Sequence, residues 1–210
     1  MSQISKSNYI DSLRHPALLW LRKHDPSKIP PVSDSLQAMF DRGHEFERYA
    51  EVQFAGGARV DFQPYHTMAE RTKDVISDEA KTIFQPKFEY GEFSCISDII
   101  QFVDGKTVDL YEIKSSTDVY KDHLYDLAFQ AMLIRQNGFE VRDVFVIHVD
   151  NTYVRQGEIE PAKLTKIVDV ASEVAELADF TVENVKKASE IVASKTMPDP
   201  SYENLGILGV

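Results

Sequence analysis

Residues 94–117, SCISDIIQFVDGKTVDLYEIKSST, constrain this chain more than any other stretch. Two apolar runs with strand-like alternation flank Asp104-Gly105, a dipeptide that turns a chain back on itself. Yet Asp98, Glu112 and Lys114 fall among the apolar positions. Hairpin register decides whether they meet, because a one-residue slip moves every side chain to the opposite face. A two-residue Asp104-Gly105 turn pairs Val103 with Lys106 and sets Asp98 and Glu112 on opposite faces. A three-residue loop with Gly105 in the left-handed region pairs Phe102 with Lys106 and gathers all even-numbered positions on one face. The even set holds Ile96, Ile100, Phe102, Val108 and Leu110 beside the three charged residues; the odd set holds Cys95, Ser97, Ile99, Gln101, Asp109, Tyr111 and Ile113. The even set is the core set on both strands, so the three-residue loop is expected. Asp98 and Glu112 then lie on adjacent strands, about 5 to 8 Å apart at Cβ.

Two carboxylates on an apolar face repel each other and lose hydration unless something positive sits between them. A divalent cation held by two carboxylates and completed by water is the usual way Mg²⁺ is bound. Lys114, two residues beyond Glu112 on the same face, is placed to reach a metal-bound water or a phosphate oxygen, a phosphoryl-transfer layout. The competing reading makes Asp98 a strand-end cap and Glu112 with Lys114 an exposed ion pair contributing ~0–1 kcal/mol.

The surrounding pattern predicts a helix over 7–23 that restarts at His15-Pro16, a proline-rich loop, and a long amphipathic helix from about Asp34 to Phe54 stopped by Gly56-Gly57. A strand at 58–62 and a polar helix at 66–80 follow. Three strand-like runs, TIFQPKFEY, FSCISDIIQFV and VDLYEIKSS, form a meander. DHLYDLAFQAMLIRQNG reads as a helix with a stripe at Leu124, Leu127, Ala131 and Ile134, stopped by Gly138. VRDVFVIHVD reads as a buried strand, TYVRQG as a short one, and 161–178 and 181–195 as helices. The expected fold is α/β: a central mixed β-sheet with an antiparallel meander, flanked by helices on both sides. One domain is expected over 1–210, with N-terminal helices at 7–54, a catalytic core at 58–155 and a C-terminal helical part at 161–195.

Composition excludes several classes. The N-terminal MSQISKSNYIDSL lacks the apolar block of a signal peptide, and a cytoplasmic location is expected. A single cysteine, Cys95, allows neither an internal disulfide nor a cysteine-rich metal site. With 34 acidic residues against 23 Lys plus Arg and a net charge of −11, the chain lacks the composition of a duplex-gripping basic face. Nucleic-acid contact would have to be local, metal-assisted or supplied by a partner.

Asp98, then Glu112-Ile113-Lys114 and Ser115-Ser116-Thr117, followed by a helix with Gln130 and a further strand, resembles the PD-(D/E)xK nuclease superfamily. Within it the chain is similar to the RecB-like exonuclease branch, which includes nucleases related to CRISPR adaptation. HPALLWLRKH, MFDRGHEFERYA, EIKSSTDVYKDHLYDLAFQ and VIHVDNTYVRQG extend the resemblance, to a bacterial family that carries this core at its N-terminus, over most of 9–195. The resemblance implies a metal-dependent (deoxyribo)nuclease with Mg²⁺ or Mn²⁺ as cofactor and nucleic acid, most often DNA, as partner. Asp98, Glu112, Lys114 and Gln130 match the family's catalytic positions. Asp98, Glu112, the carbonyl of Ile113 and His44, in its Gly43-His44 context, match the metal ligands; imidazole would tilt the preference toward Mn²⁺. The chain departs from the pattern at His15, where many relatives carry an iron–sulfur cysteine, so no such cluster is expected. It departs again at Ile134, where the branch usually has a Tyr. The alternative expectation is a catalytically silent module of this fold that binds nucleic acid or a protein.

Overall fold

The structure is a computed structural model and describes residues 3–209. In chain order its elements are β1 (Ile4–Ser5), α1 (Lys6–Arg14), α2 (Pro16–His24), α3 (Asp34–Glu51), β2 (Ala58–Arg59), α4 (Met68–Ser77), β3 (Thr82–Phe84), β4 (Lys87–Tyr90), β5 (Phe93–Ile96), β6 (Ile99–Phe102), β7 (Thr107–Lys114), α5 (Lys121–Gln136), β8 (Glu140–Val149), α6 (Pro161–Leu164), β9 (Thr165–Asp169), α7 (Ala171–Glu176) and α8 (Ala178–Ala193). The expected break at His15-Pro16 has a local cause. His15 is extended at the end of α1, and its Nδ1 accepts from the Ala17 N–H while Pro16 fills the first position of α2.

The three-run meander is divided between two sheets. Gln85 takes a positive φ of 56° before Pro86, and the chain bends again at Ser97-Asp98. The two bends lie side by side, the Gln85 N–H donating to the Asp98 carbonyl and the Ser97 N–H to that of Pro86. Before and after this level the same two runs pair in different sheets. The smaller sheet has the order β1-β5-β4; the larger is mixed, in the order β2-β3-β6-β7-β8-β9. In the larger sheet β6 and β7 are antiparallel, whereas β7 and β8 are parallel and joined across α5.

The hairpin keeps the expected parity with a different register. Phe102 pairs with Val108 and Ile100 with Leu110. The Val103 N–H donates to the Thr107 carbonyl, leaving Asp104, Gly105 and Lys106 as the three-residue connection. Gly105 is not left-handed, because the turn is held by the Asp104 carboxylate, which accepts from the backbone N–H groups of Lys106 (2.8 Å) and Thr107 (2.6 Å). The odd-numbered face is also core. Ile99 and Tyr111 pack with Phe84, Ile147 and Ala50 of α3, while Ile100, Val108 and Leu110 face the main cluster. That cluster draws on Tyr9 of α1, Leu19 of α2, Phe129 of α5, Val174 of α7 and Ala188 of α8, so the N- and C-terminal helices share one core. Each fully buried Leu, Phe or Val among them contributes about 1.5–3 kcal/mol.

Two C-terminal expectations are corrected. TYVRQG forms turns and coil, with the Tyr153 N–H closing back on the Asp150 carbonyl. The span expected to be one helix, 161–178, contains β9, whose β-branched Thr165, Ile167 and Val168 pair antiparallel with β8 between the short helices α6 and α7. No described helix is long and apolar enough to cross a membrane.

Candidate active site

Glu112 lies near the end of β7 on the face toward α5 and is 2% exposed. A bare carboxylate there would lose its hydration without replacement, but each of its oxygens is taken. Oε1 accepts from Lys114 Nζ at 2.7 Å and from Lys6 Nζ at 2.8 Å; Oε2 accepts from Gln130 Nε2 at 2.7 Å. An exposed Glu112–Lys114 pair is therefore excluded. Asp126, one helical turn before Gln130 on α5, completes the group. Its Oδ2 accepts from Lys114 at 2.9 Å and lies 3.8 Å from Lys6, and its Oδ1 accepts from Gln130 at 3.0 Å. Gln130 is fully buried, and orienting its amide nitrogen at two carboxylates leaves its Oε1 without a partner among the described residues.

Asp98 stands at the bend between β5 and β6, on the strand next to Glu112. Its Oδ2 accepts from the Ile113 N–H at 2.7 Å, and Gln85 Nε2 links its Oδ1 (3.4 Å) to Glu47 Oε1 (2.6 Å). The structure thus brings Asp98, Glu112, Lys114 and Gln130 to one end of the hairpin, with Ile113 between the two acids. His44 is not among them. It lies on the exposed face of α3, its Nδ1 3.4 Å from Glu47 Oε2, the side chain that Gln85 links to Asp98. Lys6, Asp126 and Gln85 carry no motif in the sequence that marks them for this site. Asp126 and Gln130 share a helix face at i, i+4 spacing. Lys6 sits in the first turn of a helix, where a carboxylate would be favoured and a cation is not.

The electrostatics follow from burial. Desolvation pushes the Asp98 carboxyl above the usual range, and it pushes Glu112 up too, reinforced by Asp126 and Asp98. Burial acts the same way on Asp126, but Lys114 and Lys6 outweigh it and hold that carboxyl well below the usual range. Burial lowers the two lysines and the surrounding carboxylates more than reverse this, so both ammonium groups stay charged.

Four carboxylates, Asp98, Glu112, Asp126 and Glu47, are thereby set against two ammonium groups. Hard oxygen donors with an excess of negative charge suit a divalent cation completed by water. Among the described residues no three Asp, Glu, His or Cys side chains are grouped closely enough to hold a metal ion together, so an ion here would rest on two carboxylates at most, with water and backbone oxygen completing its shell. Beside the site opens a cleft of about 530 Å³, lined by Lys6, Arg14, Arg22, Lys114, Asp126 and Phe40 among others. Buried Asp11 fixes both arginines, accepting from Arg22 Nε at 2.8 Å with Arg14 3.6 Å away.

No protein-family model matches this chain, and no curated protein matches it in sequence. Among solved structures it is similar to a candidate exonuclease from Eubacterium rectale, with 12% identity over 94% of this chain and 84% of that one and a TM-score of 0.55. It is also similar to an alkaline exonuclease from Laribacter hongkongensis, with 11% identity over 90% and 89% of the two chains and a TM-score of 0.49. At such identities what the Eubacterium rectale protein and this chain share is architecture. The chain has a mixed α/β fold of the restriction-endonuclease-like kind, with acids and partly exposed lysines gathered where the β6–β7 hairpin meets α1 and α5.

Proposed function

We propose that this chain is a metal-dependent nuclease that hydrolyses phosphodiester bonds of nucleic acid, with DNA cut from an end, in the manner of RecB-like exonucleases, as the expected reaction. The observation that carries the reading is the meeting of Asp98, Glu112 and Lys114, from two strands, beside an open cleft bearing Arg14 and Arg22. The shared fold is in keeping with it. Asp98 and Glu112, with the Ile113 carbonyl, would hold Mg²⁺ or Mn²⁺. Such an ion supplies Lewis acidity toward the phosphate and lowers the pKa of a bound water. His44 is left out of this set.

The protein's own groups do the rest. Lys114 presents a charged donor from the floor of the cleft, placed to stabilise charge developing on the phosphoryl oxygens or to orient the attacking water. Gln130 holds the Glu112 carboxylate by Oε2 and so fixes the direction of Oε1. The arginines, held by Asp11, offer their remaining N–H groups to backbone phosphates. Phe40, on the projecting part of α3, offers an aromatic face to a base.

The test is cleavage of end-labelled linear and of circular DNA in Mg²⁺ or Mn²⁺. Asp98→Ala and Lys114→Ala are each expected to cut at least roughly 100-fold more slowly than wild type. Variants as fast as wild type would overturn the assignment. A wild-type protein that binds DNA and cuts none would point to a catalytically silent module.

A further inference from the structure

We infer that Lys6 is a built-in counter-cation of Glu112, which a divalent metal ion must displace from that carboxylate, so that the N-terminal strand and helix set the metal affinity of the site. The inference rests on the reading of Asp98 and Glu112 as metal ligands and adds a residue from outside the motif.

Three observations carry it. First, both Glu112 oxygens are occupied, so a metal ion can reach this carboxylate only by sharing or replacing a donor. Of the two ammonium groups, Lys6 is the less firmly held. Lys114 is within hydrogen-bond reach of both Glu112 (2.7 Å) and Asp126 (2.9 Å), whereas Lys6 reaches only Glu112 (2.8 Å) and stands 3.8 Å from Asp126. Lys6 is therefore the donor that yields, and Asp126 remains beside it as an alternative partner.

Second, Lys6 is placed there at a local cost. It occupies the first turn of α1, which contains no acidic residue, so its charge opposes the helix dipole. Residues that break a local rule without local compensation are expected where function requires them.

Third, the backbone that carries Lys6 is anchored on both sides of it, while among the described residues its side chain is held by Glu112 alone. Ile4 pairs with Phe93 in the small sheet, Ser5 closes a capping box with Asn8, and Tyr9 stacks on Phe129 of α5 with ring centroids 4.5 Å apart. Lys23 Nζ also donates to the Gln3 carbonyl at 2.5 Å. A surface lysine that met Glu112 by chance would not need such anchoring.

The test is Mn²⁺ titration followed by the electron paramagnetic resonance of the free ion, using the full chain and Lys6→Ala, Lys6→Gln and Lys6→Arg. An adjacent opposite charge shifts a carboxylate's proton affinity by 1–3 pK units, and the same field opposes a metal cation. Lys6→Ala and Lys6→Gln should therefore bind Mn²⁺ roughly tenfold or more tightly than wild type, and Lys6→Arg within a few-fold of it. In EDTA the two neutral variants should melt below wild type, and saturating Mn²⁺ should close most of that gap. A merely structural lysine predicts the opposite: affinity unchanged or weaker in both neutral variants. That result, or no Mn²⁺ binding by wild type, overturns the inference. Tighter Mn²⁺ binding by Lys6→Gln in a protein that cleaves nothing would leave the counter-cation standing and remove the nuclease reading. Lys114-dependent cleavage with unchanged Mn²⁺ affinity in the Lys6 variants would do the reverse.

Discussion

Gln130 is the side chain on which both buried acids of α5 and β7 depend, since it donates to Glu112 and Asp126 from a fully buried position. Gln130→Ala removes a donor from each and leaves two buried acceptors short. It is expected to lower stability by about 1–3 kcal/mol in urea unfolding. His123, at the start of α5, gives a pH dependence of the opposite kind from a surface histidine. Burial lowers its pKa, helped by Lys114, and its Nδ1 accepts from the Tyr120 N–H. Its folded pKa lies below its unfolded value, so between the two the unfolded chain binds more protons. Stability should then rise with pH through a window ending near about 6.5 and be level above it. Urea midpoints from pH 5 to 8, compared with those of His123→Gln, should show this slope reduced in the variant.

At the scale of elements, two glycines that look alike in sequence have opposite roles. Gly57, after α3, has no room for a side chain: an added Cβ would sit 2.3 Å from the Phe84 ring. Gly57→Ala is expected to cost about 1–3 kcal/mol by overpacking. Gly43 lies inside α3, and an added Cβ would meet nothing closer than Ser115 Oγ at 3.7 Å. Gly43→Ala should stabilise the helix by up to about 1 kcal/mol, and thermal melts of the two variants should move in opposite directions. A Gly43 required for close approach to the site would contradict this. The same scale explains β9. Thr165-Lys166-Ile167-Val168 has enough apolar content to pass for a helix face, yet it runs beside the exposed edge of β8, where pairing satisfies a whole ladder of backbone groups.

Across the chain, acidic residues outnumber basic ones, so on the proposed function nucleic acid would be met by local clusters of cations such as the one in the cleft. Its cations are Lys6, Arg14, Arg22 and Lys114. If each neutralises one phosphate of a single strand, log K should fall with log salt at a slope of roughly −2 to −3, following about −0.7 per contact. Fluorescence anisotropy of a labelled oligonucleotide in Ca²⁺ would measure it, and Arg22→Ala should reduce the slope by about one contact. A slope near zero would mean that these cations make no phosphate contacts.

Local terms are legible in the chain alone. Gln130 came only from the family resemblance, whereas alternation and the Asp104-Gly105 signal identified the hairpin and its hydrophobic parity set Asp98, Glu112 and Lys114 on one face. These depend on spacing along a strand or helix, which a single chain displays. Tertiary structure decided what depends on groups distant in sequence. It split the meander at Gln85 and Ser97, because two sheets compete for the same strands. It set His44 on an exposed helix face beside Glu47, its neighbour at i+3. It brought Lys6 to Glu112 across 106 positions of sequence, through the pairing of β1 with β5 and the packing of α1 on α5. No period or spacing records such a contact, since it is fixed by the burial of Tyr9 and Phe129 rather than by any pattern around Lys6.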